Sequence, residues 1–331
     1  MKAVVYTHYG SPDVLQIKEV EKPVPGDNEV LIKVYATTVN RTDCATIRAK
    51  PFFARFWTGL IKPKKQITGT AFAGEVEAVG NSVSSLKPGD KVFGFDDQGS
   101  QSHAQYLAIA ENKVITMPDN ISYQQAAASS EGAHYAYNFI NKVELRKGQN
   151  VLVNGATGAI GSAAVQLLKY FEVNVTAVCS TKNIDLVKSL GADKVIDYTK
   201  EDFTQDDKKY DFVFDTVGKS SFFKCMQLLK PGGVYISSDL GFMSQNLFLP
   251  LITPVIKSLF DDKKTVSPFP DDINATLLLV KTLMEPGNFT AVIDREYPLE
   301  DIVKAFEYVE TGKKTGNVVI NVEHDHNSAI K

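Results

Sequence analysis

Hydrophobic positions along the chain follow two rhythms, and the change falls near Gly148. Before it, Val-rich runs at Lys2–Thr7, Glu29–Tyr35, Ala73–Val79 and Lys91–Phe95 are punctuated by Gly, Pro, Asn and Asp, the spacing of short strands. Pro23-Val24-Pro25-Gly26-Asp27 and Lys87-Pro88-Gly89-Asp90 carry turn chemistry. The region reads as all-β, a distorted barrel. Helical patterning begins at Ser122, a candidate N-cap for Tyr123–Ala128. From Gly148 onward, strands at Val151–Asn154, Val173–Cys179, Lys194–Asp197, Phe212–Asp215 and Val234–Ser237 alternate with helices beginning near Ser162, Asn183 and Ser221. That alternation is the signature of a parallel sheet. Pro231-Gly232-Gly233 is expected to end the last of these helices, and Lys264–Phe269 to add an edge strand. The tail leaves the alternation, with a helix at Ile273–Met284, a strand at Val292–Tyr297, a helix at Leu299–Thr311 and a strand at Gly316–Val322. That last strand needs a β partner and is expected to return to the N-terminal region. Residues from Glu323 onward read as a frayed, solvated end, His324 and His326 included.

The first strand of the alternating region runs into Asn154-Gly155-Ala156-Thr157-Gly158-Ala159-Ile160-Gly161, a turn with three glycines that opens a helix. Small residues let the backbone approach a pyrophosphate, and a helix N-terminus offers free N–H groups and a positive dipole end. The strand–turn–helix context is what gives a glycine triplet its meaning. A dinucleotide is therefore the expected ligand.

Composition narrows the class. The chain has 331 residues, room for two domains, with 44% hydrophobic and 23% charged residues, as in a soluble globular protein. Net charge is −3 and no Lys/Arg block dominates, which argues against nucleic acid or an anionic membrane surface as main partner. The opening Met1–Tyr6 is too short an apolar run for a signal peptide. Three scattered cysteines, Cys44, Cys179 and Cys225, match no metal motif and suggest a reducing compartment, the cytoplasm. The most apolar stretch, 246–260, is broken by Pro250, Pro254 and Lys257 and is too short for a bilayer span. It reads equally as core or subunit interface and as a lid over an apolar substrate.

Tyr9-Gly10-Ser11-Pro12-Asp13-Val14-Leu15, Glu29-Val30-Leu31-Ile32-Lys33-Val34, the Gly69–Gly94 segment with Lys87-Pro88-Gly89-Asp90-Lys91-Val92-Phe93-Gly94, and the nucleotide turn occur in this order. In that order the chain resembles the medium-chain dehydrogenase/reductase superfamily, in its zinc-independent quinone oxidoreductase branch. The resemblance implies an α/β protein with a GroES-like β-barrel catalytic domain and a Rossmann doubly wound parallel-sheet domain. Boundaries are expected at 1–121 (catalytic, N-terminal part), 122–266 (NADP-binding) and 267–331 (return to the catalytic domain). It also implies NADPH and a homodimer, which Lys264–Phe269 could support by pairing edge to edge.

Where the superfamily's zinc alcohol dehydrogenases have a Cys ligand before Thr-Asp, this chain has Asn40, followed by Arg41-Thr42-Asp43. Where they have a His ligand in Gly-His-Glu, it has Thr70 in Gly69-Thr70-Ala71, and the four-cysteine structural lobe is missing. Tetrahedral zinc cannot be built from these residues, and Cys44 reads as a packed thiol. The resemblance places Asn40 near nicotinamide and substrate, with Asp43 as its companion. The second strand of the parallel sheet ends in Cys179-Ser180-Thr181-Lys182 without an acid. Ser180, Thr181 and Lys182 are thus expected at the 2′-phosphate of NADPH, the alternative for Lys182 being a solvated turn, and the resemblance implies Tyr198 after the third strand beside them. Further cofactor contacts are expected at His134, Thr216, Ser237 and Asn317; for His134 an exposed or helix-packed imidazole is the alternative. Relatives' tyrosine two residues after the Asp is Ala45 here, and no replacement proton donor stands out. Phe52, Phe53, Phe56 and Trp57, with Phe242 to Phe260, are candidate pocket walls, core and dimer contacts being the alternative. The expected activity is hydride transfer from NADPH to a small apolar quinone or α,β-unsaturated carbonyl. Alternatives are reduction of other carbonyls without zinc and a non-enzymatic NADPH-binding role.

Overall fold

The structure, a computed structural model, describes residues 1–52, 55–238, 249–250, 261–268 and 272–324, without the side chain of Trp57. The chain forms two compact units, Met1–Glu131 with Ile273–Lys331, and Gly132–Asp272.

In the second unit, strand β8 (Asn150–Asn154) is apolar at consecutive positions because both its faces are covered; Val151, Leu152 and Val153 are fully buried. Around it lie β9 (Asn174–Cys179), β10 (Lys194–Asp197), β11 (Tyr210–Asp215), β12 (Leu229–Ser237) and β13 (Lys264–Val266). All six strands are parallel, in the order β10-β9-β8-β11-β12-β13. Sequence order reverses between β8 and β11, the point beyond whose carboxyl ends doubly wound sheets bind ligands. The helix after β8 is Ala159–Tyr170, three residues longer at its start than the pattern suggested, because it begins directly at the glycine turn.

Pro231-Gly232-Gly233 does not end a helix. The helical turns stop at Leu228, and the three residues lie inside β12, where the register with β11 slips between Leu229↔Tyr210 and Val234↔Phe212. A bulge takes up a proline that cannot donate and glycines that fill no space. The expected strand Lys264–Phe269 is seen as Lys264–Val266, with Phe269 outside the described residues. So is the 246–260 stretch apart from Leu249 and Pro250.

The first unit is built around β3 (Glu29–Val39). It pairs antiparallel with β4 (Ala71–Val79), with β6 (Tyr106–Ala110) along Glu29–Lys33, and with β15 (Asn317–Asn321) along Ala36–Val39. The local pattern ended this strand at Tyr35; residues 36–39 are strand because β15, far along the chain, pairs with them. β14 (Ile293–Pro298), β5 (Lys91–Phe95) and β7 (Val114–Thr116) complete the sheet. A separate ribbon joins β1 (Lys2–Val5) to β2 (Gln16–Glu19), and β2 is exposed throughout, hence without apolar signature. Helix Tyr123–Ala128, capped by the Ser122 hydroxyl that accepts from Gln125 N–H, packs on β3, β4 and β15 and so carries this unit on to Glu131. Glu323 and His324 are docked rather than frayed. Gln105 donates to the Glu323 carbonyl, and His324 Nε2 lies 2.7 Å from the Val34 carbonyl with its ring edge-on to Tyr35 and Tyr106. His326 lies outside the described residues.

Helix Ile302–Glu310 turns Ile302, Ala305, Phe306 and Val309 into the same core as Val4, Val30, Ile32 and Phe72. The C-terminal return is thus part of the first unit's core. Truncating the fully buried Phe306 to Ala should cost the first unit about 3–5 kcal/mol. Denaturant unfolding followed by separate probes in the two units should show an earlier first-unit transition, while the second unit's midpoint stays in place.

Candidate functional site

Asn40 stands at the end of β3 and starts helix Arg41–Ile47, so a strand end and a helix N-terminus fix its backbone together. Its N–H donates to Asp43 Oδ2 at 2.8 Å, the reach-back of a capping box. Its carboxamide Nδ2 donates to Glu131 Oε2 at 2.9 Å and to Thr38 Oγ1 at 3.2 Å. Glu131, the first residue of helix Glu131–Ile140, also accepts from Thr42 Oγ1 at 2.7 Å and Thr70 Oγ1 at 3.2 Å. On the other side of the amide, Lys314 Nζ donates to Asn40 Oδ1 at 3.1 Å and to the Gly316 carbonyl at 2.5 Å. Asn40, Asp43, Thr70 and Glu131 are all buried, and Lys314 is half-buried.

Three ionisable groups are thus held in one polar array. Burial, and next the nearby Glu131 charge, push the Asp43 carboxyl well above the usual carboxylate range. Loss of water around its ammonium on burial lowers Lys314 to about 8 despite the opposing pull of Glu131 and Asp294. Cys44 is buried and its thiol is pushed up by burial, as an inert packed group requires. The donors at positions 40, 70 and 131 are an amide, a hydroxyl and one carboxylate, with a lysine ammonium beside them. That set does not fit zinc, which takes thiolate, imidazole and carboxylate in a tetrahedron. Among the described residues no group of three or more His, Cys, Asp or Glu could hold a metal ion.

In the second unit the nucleotide turn has the form a diphosphate needs. Gly155 has φ +79°, and a Cβ there would meet Val217 Cγ1 at 2.3 Å. A Cβ on Gly161 would lie 2.1 Å from the Gly155 carbonyl oxygen, so only glycine lets the helix close onto the turn. Ala156 is fully buried, while Thr157, Gly158, Ala159 and Ile160 remain partly exposed. Gly158 is the N-cap and brings no side chain to the helix start, leaving first-turn N–H groups for an anion. Across the switch point, Asp215 accepts from Asn154 Nδ2 at 3.0 Å, Tyr235 OH at 3.0 Å, and the N–H groups of Gly218 at 3.1 Å and Ser220 at 2.9 Å. Thr216 Oγ1 donates to the Asn154 carbonyl at 2.8 Å, and Ser237 is buried opposite Asp215 in register. One carboxylate therefore ties the turn after β8 to the loop after β11.

The ends of β9 and β10 are neighbours, Cys179 pairing with Asp197, which places Ser180 and Tyr198 side by side. Lys182 is exposed and Tyr198 is 60% exposed, so both can reach a ligand from solvent. Thr181 is differently engaged from the expectation. Its hydroxyl donates to Asp197, whose carboxyl is lowered to about 2 by that bond first, opposed by burial, and further by Thr199. His134 is fully buried with Nε2 3.2 Å from Asn138 Nδ2, one helical turn on. Asn317 is buried, its Nδ2 donating to the Val292 carbonyl at 3.1 Å, while its Oδ1 has no partner among the described residues. An orphan acceptor of this kind fits a ligand donor. Phe52 and Phe56 are about two-thirds exposed, which excludes a core role for them in the single chain; Phe53, the Trp57 side chain and Phe242 to Phe260, Leu249 and Pro250 aside, fall outside the described residues.

Glu131, Lys314 and Asp215 were not singled out from sequence. Lys314 looks like a solvated turn residue in Gly312-Lys313-Lys314-Thr315, and Glu131 like an ordinary first-turn acid. The usable signal was Glu131's position after the apolar and small run Ala126–Ser130, where an isolated acid must find partners.

Residues 26–119 match the alcohol dehydrogenase GroES-like domain, and residues 190–320 the zinc-binding dehydrogenase family. A 2-methylene-furan-3-one reductase of Solanum lycopersicum is 33% identical over 97% of this chain and 79% of its own length. An NADPH-dependent alkenal/one oxidoreductase of Arabidopsis thaliana, chloroplastic, is 31% identical over the same shares. The solved quinone oxidoreductase of Coxiella burnetii superposes with a TM-score of 0.86 at 27% identity, over 98% of this chain and 99% of that one. With a GroES-like first unit, a Rossmann second unit and these relatives, the chain belongs to the medium-chain dehydrogenase/reductase superfamily, in its quinone-oxidoreductase-like branch, as an oxidoreductase that takes a nicotinamide cofactor.

Proposed function

We propose that this protein is an NADPH-dependent, zinc-independent reductase of α,β-unsaturated carbonyls and quinones. The observation that carries the reading is the donor set around Glu131. It offers hydrogen bonds, one carboxylate and one organic cation but no ligand set that completes a zinc tetrahedron, which suits a substrate that brings its own electron sink. A conjugated carbonyl does so. Its β-carbon accepts a hydride while the electron pair moves onto oxygen. The names of the Solanum and Arabidopsis relatives denote reductases of such conjugated carbonyls, and the Coxiella structure is titled a quinone oxidoreductase.

In this reading Asn154–Gly161 hold the diphosphate on the helix start, and Asn317 and Thr216 contact the cofactor. His134 keeps a supporting place inside its helix. The bound dihydronicotinamide supplies the hydride. Asn40 and its partners hold the substrate carbonyl, with Asp43 fixing the Asn40 backbone. Preference for NADPH is supported by the absence of a carboxylate in Ser180-Thr181-Lys182 and by the exposed Lys182 and Tyr198 at the same sheet edge. Asp197 lies nearby as an ionised carboxylate, hydrogen-bonded by the Thr181 and Thr199 hydroxyls and paired with Lys200 Nζ at 3.7 Å. Three buried free thiols suit a reducing compartment, and we assign the protein to the cytoplasm. Among the described residues no helix is long and apolar enough to cross a membrane. Among the described residues β13 is one of the two edge strands of the second unit's sheet, β10 being the other, and we assign to β13 the pairing edge of a homodimer.

NADPH oxidation against a panel of enones, enals and quinones tests the activity; no turnover of any member would defeat the reading. Lys182→Ala should weaken NADPH binding by about 1.5–3 kcal/mol through loss of a charged hydrogen bond, and leave NADH binding nearly unmoved. Equal losses for both cofactors, measured by fluorescence titration, would place the 2′-phosphate elsewhere. Phe56→Ala should lower kcat/KM for bulky enones relative to small ones while Tm shifts by less than about 2 °C, as for an exposed side chain. An unchanged substrate ranking would remove Phe56 from the pocket wall. Static light scattering at micromolar concentration should give twice the 36.4 kDa chain mass, and a monomer would count against the β13 edge.

A further inference from the structure

The two positions at which the superfamily's zinc enzymes carry the Cys and His ligands, Asn40 and Thr70, both donate here to one carboxylate, Glu131. The cation beside them is Lys314. Its position is over-determined. Asp294 Oδ2 accepts from the Thr315 N–H at 2.9 Å and from Tyr308 OH at 2.7 Å, pinning the turn that carries it. Gly316 sits at φ +73° where a Cβ would be 2.1 Å from the Val292 carbonyl oxygen, so the turn closes tightly on strand β15. An ammonium has three donors. Among the described residues two are engaged, by Asn40 Oδ1 and by the Gly316 carbonyl, and the side chain is only half-buried.

The geometry points to Lys314 as the group that receives the substrate's carbonyl oxygen on its third N–H and protonates it as negative charge develops. This rests on the reductase reading above. The hydride's electron pair forms the new C–H bond at the β-carbon. The alkene π pair becomes the bond between α-carbon and carbonyl carbon, and the carbonyl π pair moves to oxygen as an enolate. An Nζ–H bond of Lys314 then breaks with its pair left on nitrogen, and the proton goes to that oxygen. The resulting enol takes a proton from water at its α-carbon, its O–H proton passes to the hydroxide so formed, and Lys314 is reprotonated from solvent, which supplies the one net proton of the reduction. The substrate is reduced by two electrons and the cofactor oxidised by two. A general acid is most effective when its pKa lies near working pH, and Lys314 at about 8 meets that condition. The charged and titratable groups facing it are Glu131, Asp294 and Cys44, which favour its proton, and Arg41, which opposes it; Asp43 adjoins through Asn40.

The test compares wild type with Lys314→Met, which keeps the stem without the charge, and Lys314→Arg, which keeps charge and donors. With 3-penten-2-one at saturation, Lys314→Met should lose about 100-fold or more in kcat, the usual worth of a positioned acid, at unchanged NADPH affinity and Tm. Wild-type kcat should fall above about pH 8 as the ammonium deprotonates. In Lys314→Arg, with a guanidinium that does not titrate in this range, part of the rate should survive and the basic limb should move upward. A second readout needs no turnover. 4-Nitrophenol, titrated with each protein and NADP⁺, should ionise at lower pH when bound to wild type than when free, and the shift should vanish in Lys314→Met. If Lys314→Met stays within about 3-fold of wild type with the same pH profile, Lys314 is no proton donor. Equal losses in both variants together with a lowered Tm would assign it a structural role and equally overturn the proposal. Should wild type reduce no enone or quinone, the reductase reading fails by itself, and the nitrophenol shift alone decides whether Lys314 binds an oxyanion.

Discussion

A carboxylate taken out of water must gather donors or give up its charge, and the first unit is arranged around how Glu131 meets that demand. Three side-chain donors reach it from three places: Asn40 at the end of β3, Thr42 in the helix that follows, and Thr70 just before β4. Each bond to an ionised acceptor is worth about 1.5–3 kcal/mol, and a missing one would leave a charge uncompensated in the interior. Satisfying Glu131 therefore fixes the side-chain orientation of Asn40, and with it the acceptor that Lys314 binds. Asp43 meets the same constraint in the other way. It has the Asn40 N–H as a partner, but the Glu131 charge close by, and burial holds it toward its neutral form.

The second unit repeats the device with Asp215. Its carboxylate accepts from Asn154 on β8, from Tyr235 on β12 and from backbone N–H groups of its own loop. The result is one shared anchor for the loops after β8 and β11, at the place where the sheet's strand order reverses. Tight turns alone would leave the β8 and β11 loops free to move separately. A shared buried acceptor makes them one object, which is what a cofactor held on backbone N–H groups requires, since N–H groups cannot adjust as side chains do.

Most of the fold was legible because its causes are local. Consecutive apolar residues in Val151–Val153 follow from burial on both faces, and the glycines at 155 and 161 follow from contacts within a few residues or just across the turn. Where the reading went astray, the cause lay far along the chain. Strand β3 runs on to Val39 because β15 pairs with it; Pro231–Gly233 lies in a strand because β11 accepts it with a slipped register; His324 is docked because Val34 presents a carbonyl to it. Thr181, one of the residues expected at the phosphate, donates its hydroxyl O–H to Asp197 at the end of the neighbouring strand.

The sequence by itself determined the GroES-like and Rossmann folds, the tight glycine turn after β8 and the amide and hydroxyl at positions 40 and 70, because each depends on residue type within a short window. It also marked Asn40 and Asp43, through the resemblance of the segment that contains them. Only the tertiary structure decided what those residues work with. Lys314 lies 274 positions from Asn40, and Glu131 lies 91 from it. Nothing in the local composition of either tells a buried partner from a solvated charge. That distinction is made by whichever donors and acceptors the folded chain brings within about 3 Å, and by how much water it leaves there.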